Sequence, residues 1–390
     1  MNSSTTGRDH DRNPTIWRLA GALLAMAAVL LIAACGGDDT VGGGSDEEVT
    51  TAESGSVEGD LTISNWPGYI DPGKNGSIAE FEDETGVSVK YIEDVNDNVQ
   101  FFGKVQPLLD QGESGDRSIF VVTDWMARQM YDLDYLQEID PADIATVEEN
   151  IAPQFETTGT DRSYAIPWQG GLTGVWVNTK EAPDVTSVND LFDPQYKGKV
   201  TMLTEMRDTV PLMLKADGID PEEATKEDWL TEIDKLKEAA DSGQIRRFTG
   251  NEYTEDLTSG NVVAAIGWSG DASLIGREGV EWRMPDEGCI FWFDNMVIPA
   301  GAPNTAAALE FMNFTYEPEV QTDIAEYVNY VTPVAGVQEL LAERDPELAE
   351  SDLIFPDEQF LTPCTPQPEP PGDDADVQEV TEAFQEVISG

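Results

Sequence analysis

Residues 60–92 read "DLTISNWPGYIDPGKNGSIAEFEDETGVSVKYI", and the fold class follows from this stretch. Leu61 and Ile63 alternate with polar residues, as in a short strand with one buried face. After the loop "PGYIDPGKNG", Ser77 is placed to cap a helix through "IAEFEDETG" that stops with Gly86 at C′. "VSVKYI" then supplies a second strand. The unit repeats downstream: a helical stretch around "FFGKVQPLLDQG", a hydrophobic strand "SIFVV" at 118–122, then a helix beginning in "TDWMARQMYDLDYL". Strands alternating with helices imply an α/β fold, with a parallel-rich sheet covered by helices on both faces. Ligands of such sheets lie beyond the carboxyl ends of the strands. Those ends carry Trp66 and Tyr69 after the first strand and Trp125 after the third.

Further along, "SYAIPWQGGLTGVWVN" combines Pro and paired Gly in a strand-like run, which suits a segment crossing between domains. "SVNDLFDPQYKGKVTMLTEMRDTV" gives a short helix, a turn, a strand at about 199–203 and a second helix. Near the start of that helix Glu205 and Asp208, at i and i+3, share a face. The buried strand "VVAAIGWSGD" ends in Trp268. In "FWFD", residues 291–294, strand geometry puts Phe291 and Phe293 on one side, with Trp292 and Asp294 on the other. A Trp beside an Asp is a poor core pair, because a buried charge is costly without a partner. Tyr330 sits in "YVNYVTP", and the chain closes with a Pro-rich stretch and an amphipathic helix carrying Val377, Val380, Phe384, Val387 and Ile388.

Composition narrows the function. Against 76 Asp+Glu there are only 22 Lys+Arg, a formal net charge of −54, which excludes a nucleic-acid partner because phosphate needs a basic footprint. Arg8, Arg12 and Arg18 precede a mostly apolar run from Leu19 to Ala34 that is shorter than the roughly 18–20 residues of a membrane span. The run ends "IAAC" at Cys35 and resembles a bacterial lipobox, so residues 1–34 are expected to be a signal peptide and Cys35 a lipidated first residue. Cleavage there would remove His10, the only histidine, and with it every Ser–His–Asp, Cys–His or His-ligated zinc chemistry. Cys289 and Cys364 remain, and outside the cytoplasm an even pair reads as a disulfide, two buried thiols being the alternative. Residues 36–59 have no aromatic or basic residue and no apolar periodicity, and read as a flexible acidic tether with a reach of about 25–30 Å.

Aromatic rings before and after the crossing segment, with carboxylates beside the second group, describe a cleft between two α/β domains suited to a cationic ligand. Ring faces attract cations and carboxylates anchor ammonium groups. A linear polyamine alternates charge and methylenes in the way such a cleft would grip, with Trp292 and Asp294 as one clamp. A sugar, or a two-carboxylate glycoside hydrolase site, stands as the alternative.

"ISNWPGYIDPG", "ETGVSVKY", "DLFDPQYKGKVTMLTEMRD", "AAIGWSGDASL", "GCIFWFDNMVIPAGAPN" and "YVTP" resemble, in order and spacing, the extracytoplasmic spermidine/putrescine-binding proteins of polyamine ABC transporters. The likeness covers roughly residues 60–345. It implies a two-domain, periplasmic-binding-protein-like (type II) fold with the ligand cleft between the domains: 60–166 with 295–335 as domain I, and 167–294 with 336–390 as domain II. It implies an aromatic box of Trp66, Tyr69, Trp125, Trp268 and Trp292 with Tyr330 at the rim, and Glu205, Asp208 and Asp294 taking the amines. It further implies no cofactor, no metal, no catalytic residue, a membrane permease as partner, and a lipid-anchored monomer outside the cytoplasm. The sequence departs from the family at Glu205, where Asp is frequent, at Pro67 and Gly250, where hydroxyl residues often stand, and at Asp271, an added acid. The family's C-terminal glutamine contact has no clean counterpart in "TPCTPQPEPP".

Overall fold

The computed structural model describes residues 50–156 and 161–390; the signal segment and Cys35 lie outside the described residues. Among the described residues ten strands form one sheet: β1 Asp60–Asn65, β2 Ser88–Glu93, β3 Ile119–Thr123, β4 Ile166–Asn178, β5 Val200–Leu203, β6 Ile245–Thr249, β7 Ala264–Trp268, β8 Val280–Arg283, β9 Ile290–Val297 and β10 Thr365–Pro366. The order is β2-β1-β3-β9-β4-β7-β5-β6, with β8 on β4 and β10 on β9. Two parallel groups, β2-β1-β3 and β7-β5-β6, correspond to the two α/β halves, and antiparallel β9 and β4 join them. This is the two-domain, type II periplasmic-binding-protein architecture. The crossing segment is therefore a strand in its own right, paired on both edges, and all residues of β4 are buried, as in a central strand covered on both faces.

The opening unit forms as its pattern dictates, with one correction. The first helix runs Ser77–Thr85 and ends on Gly86 at φ 75°. Ser77 does not cap it. Gly76 is the N-cap residue and its orphan donors are served from outside the helix, where Asp71 accepts from the Ser77 amide (2.9 Å) and hydroxyl (2.6 Å). A second correction concerns the tether. Its last residues, 50–59, lie along the body: the Ala52 amide donates to the Glu138 carbonyl (2.7 Å), and the Asn304 amide donates to the Glu58 carbonyl (2.8 Å). Backbone hydrogen bonds hold this segment, so the lack of apolar periodicity did not reveal it.

At the other end the helix Asp374–Ser389 buries Val380, Phe384 and Val387 and packs on the helix Lys226–Ser242, where Lys226 Nζ reaches Asp376 (2.6 Å) and Glu379 (2.9 Å). Among the described residues, no helix is long and apolar enough to cross a membrane.

Candidate functional site

The strand ends converge on one cavity. Trp66 and Tyr69 enter it from the loop after β1, Thr123 from the end of β3, Glu205 from the loop after β5, and Trp268 from the end of β7. Asp208 comes from the first turn of the helix Met206–Ala216. β9 behaves as its alternation requires. Trp292 and Asp294 line the cavity, while Phe291 and Phe293 sit edge to face on the other side, 4.5 Å apart.

Five of the six expected aromatics form a continuous run of ring contacts: Trp66 to Trp268 (5.6 Å), Trp268 to Trp292 (6.3 Å), Trp292 to Tyr330 (5.6 Å) and Tyr330 to Tyr69 (5.0 Å). Tyr330 lies within the run rather than at its rim. Missing Cβ atoms make room for it: a methyl on Gly171 would come within 2.4 Å of the Trp292 ring, and one on Gly270 within 2.3 Å of Tyr330. The indole N–H groups of Trp268 and Trp292 are committed, to Asp208 (3.0 Å) and Thr173 (3.0 Å), whereas the buried Trp66 N–H has no partner among the described residues. Trp125 is the exception. It does not line the cavity, and the guanidinium carbon of Arg207 lies 3.8 Å over its ring.

Four carboxyl groups line the cavity, each at most 3% exposed: Glu205, Asp208, Asp271 and Asp294. Burial is the main cause of the shift in all four. It pushes Asp294 up to about 7 against the Thr123 hydrogen bond, and Asp208 and Asp271 up to about 6 against theirs. Glu205 is raised well above its ordinary value by burial and then by the nearby Asp97 charge. Asp208 accepts from Thr173 (2.8 Å), Trp268 and Gln367 (3.0 Å), and Asp271 from Tyr330 (2.6 Å) and Tyr253. A line of hydrogen bonds joins the two outer acids: Asn98 donates to Glu205 (2.9 Å) and to Thr123 (2.8 Å), and Thr123 donates to Asp294 (2.8 Å). Neutral donors satisfy these oxygens without supplying positive charge, so the cavity is built to receive cations.

Sequence reasoning missed Asn98, Thr123, Asn251 and Gln367, which also line the cavity. Only Gln367 had a signal, its position three residues beyond Cys364. Cys289 and Cys364 form a disulfide, β10 pairs in parallel with β9, and the Gln367 amide donates to the Phe291 carbonyl (2.8 Å). Lys215 Nζ clamps the same strap at the Pro363 carbonyl (3.0 Å) and Thr365 Oγ1 (2.9 Å). Pro67 lines the cavity where a hydroxyl was expected. Gly250 is fixed by close approach, since a Cβ there would meet the Asn96 carbonyl oxygen at 2.2 Å.

Two α/β halves around one buried, acid-lined aromatic cleft define a receptor for a small solute. The chain belongs to the bacterial extracellular solute-binding proteins, whose family model matches residues 76–354. It is 26% identical over 308 residues to the spermidine/putrescine-binding periplasmic protein of Salmonella typhimurium, covering 77% of this chain and 84% of the relative. To the putrescine-binding periplasmic protein SpuD of Pseudomonas aeruginosa it is 27% identical over 331 residues, with the same coverage of 77% and 84%. Among solved structures, an ABC-transporter protein from Listeria monocytogenes superposes with a TM-score of 0.73 at 29% identity, over 84% of this chain and 98% of that one. The spermidine/putrescine substrate-binding protein PotD of Streptococcus pneumoniae gives 0.66 at 27%, again over 84% and 98%.

Proposed function

We propose that this protein binds a linear polyamine, putrescine or spermidine, in the cleft and delivers it to the membrane permease of an ABC transporter. The observation that carries the reading is the set of four buried carboxyl groups set among aromatic faces, with neutral hydrogen-bond donors as their direct partners. Ammonium groups would take the carboxylates while the methylenes between them lie on Trp268 and Trp292. A sugar receptor would present donors free for hydroxyls, whereas here the Asn98 and Gln367 amides are already given to Glu205 and Asp208. No catalytic step is assigned to the site. The lobes we propose are 60–166 with 295–335 and 167–294 with 336–390, except that the helix Val337–Arg344 joins the first because it packs on Pro318–Val328. A signal peptide ending at Ala34 and a lipid on Cys35 would hold a monomeric receptor at the outer face of the membrane.

A thermal-shift panel of putrescine, spermidine, sugars and amino acids tests the reading. A ligand at about 100 times its dissociation constant stabilises by about 2.7 kcal/mol, so only polyamines should raise Tm. A shift with a sugar and none with either polyamine would overturn it.

A further inference from the structure

The segment Asn96–Asn98 meets the opposite lobe on both of its flanks. Asn98, the first residue of the helix Asn98–Leu109, gives its backbone amide (2.6 Å) and its side-chain amide (2.9 Å) to Glu205 in the loop after β5. Asn96 turns the other way, to the loop after β6. Its side-chain oxygen accepts from the Asn251 backbone amide (3.0 Å) and its Nδ2 donates to Glu252 (3.0 Å). Between them Asp97 caps the helix, accepting from the Gln100 amide (2.8 Å), while the Asn98 side chain is braced within its own lobe by Thr123 (2.8 Å). The two receiving loops follow adjacent parallel strands, so they stand side by side as the walls of a slot.

Glu205 and Asn251, which receive the segment, both line the cavity, so a ligand and the segment act on the same two residues. Gly250 makes the room. The three atoms nearest to a Cβ built there all belong to Asn96, its carbonyl oxygen at 2.2 Å. Gly250 does not have a positive φ, so contact with Asn96 rather than backbone conformation excludes a side chain. The Asn98 amide, at the start of its helix, has no partner within the helix and must be served from outside. We infer that Asn96–Asn98 is a catch that fastens the lobes when it seats between the ends of β5 and β6, holds Glu205 and Asn251 in place, and sets the rate at which a bound amine leaves. This rests on the two lobes and the polyamine reading proposed above.

Amide hydrogen exchange on the wild type and Gly250→Ala, with and without putrescine or spermidine, tests it. The Asn98 and Asn251 amides donate across the cleft, so their protection reads the seated catch directly. In Gly250→Ala the added methyl wedges the slot, and both amides should exchange at least about tenfold faster while those of β1 keep the wild-type rate. Stopped-flow binding should show the amine leaving at least about tenfold faster, with its association rate within about twofold of the wild type. Should Gly250→Ala fail to fold, Asn96→Ala carries the same comparison through the lost bonds to Asn251 and Glu252. Equal exchange of the two amides in wild type and variant, or an affinity loss confined to the association rate, overturns the inference. A wild type that binds neither amine overturns the polyamine reading, and the exchange comparison still decides the catch.

Discussion

The side-chain amide of Gln367 donates to Asp208 across 3.0 Å although 159 residues separate the two in sequence. Asp208 already accepts from Thr173 and Trp268, so the tail of the chain supplies its third donor. The disulfide, the β10–β9 pairing and Lys215 all act on the few residues before Gln367, and together they fix where that donor points.

Gln367→Ala should therefore weaken polyamine binding roughly 10- to 150-fold, the worth of one hydrogen bond to a charged group at about 1.5–3 kcal/mol. The Cys289→Ser/Cys364→Ser pair should cost a similar factor and also lower Tm, since it opens a loop whose closure is worth several kcal/mol in the chain-entropy model. Combined, the losses in affinity should not add, because both act through one contact. Titration and thermal melts of the three variants check this, and additive losses would show that the strap and Gln367 act separately.

Asp294→Asn keeps the size of the side chain and removes its charge. Polyamine affinity should fall about 10- to 150-fold, the range of about 1.5–3 kcal/mol for a charge-assisted contact. Trp292→Ala should weaken binding through loss of the ring. Glu205→Gln and Asp208→Asn probe the other end of the cleft, and the exposed Glu347, changed to Gln, should leave binding untouched. Wild-type affinity in both Asp294→Asn and Glu205→Gln would place the ligand elsewhere.

The raised acids make two opposite pH trends. For Asp294 the folded value is about 7 against an ordinary 3.8, so its contribution to stability is full below the ordinary value and is lost as pH rises through about 7. Asp208 and Asp271 behave alike up to about 6. Melts of the ligand-free protein should fall in Tm between about pH 4 and 7 on account of these groups, and Asp294→Asn should flatten the upper part of the decline. Polyamine binding favours the ionised carboxylates, so affinity should rise from pH 5.5 to 8 with release of protons. Titration in buffers of different ionisation enthalpy reads that release directly, and proton uptake would contradict it.

Cys35→Ala should abolish lipid attachment and leave the protein with its leader. Mass analysis of the wild type from the membrane fraction should find a lipidated Cys35 as the first residue, and a free thiol there would point to an uncleaved anchor.

Most of the fold was legible in the sequence because it rests on local signals. Strand alternation at 61–63, the αL stop at Gly86 and the faces of "FWFD" each depend on residues within a few positions of one another. The aromatic run was legible for the same reason, being attached to strand ends. What escaped depends on distant partners. Whether Trp125 faces a ligand or a guanidinium is decided by Arg207, some eighty positions later, and the N-terminus of the helix at Ser77 is served by Asp71 across a loop. The docking of residues 50–59 uses backbone groups that every sequence possesses.

The disulfide has a further consequence for how the site assembles. Cys289 and Cys364 stand 75 residues apart, and once bridged they turn the segment between them into a macrocycle. Trp292 and Gln367 each lie three positions beyond their own cysteine. In an oxidised but unfolded chain these two parts of the cleft are already near neighbours along the covalent path, at high effective concentration, and the parallel pairing of β10 with β9 is the register that the bridge favours. Tyr330 travels inside the same ring. An oxidised chain therefore searches a far smaller space for the tail's place on β9 than a reduced one, and much of the C-terminal half of the cleft can be gathered before the rest of the sheet has closed around it.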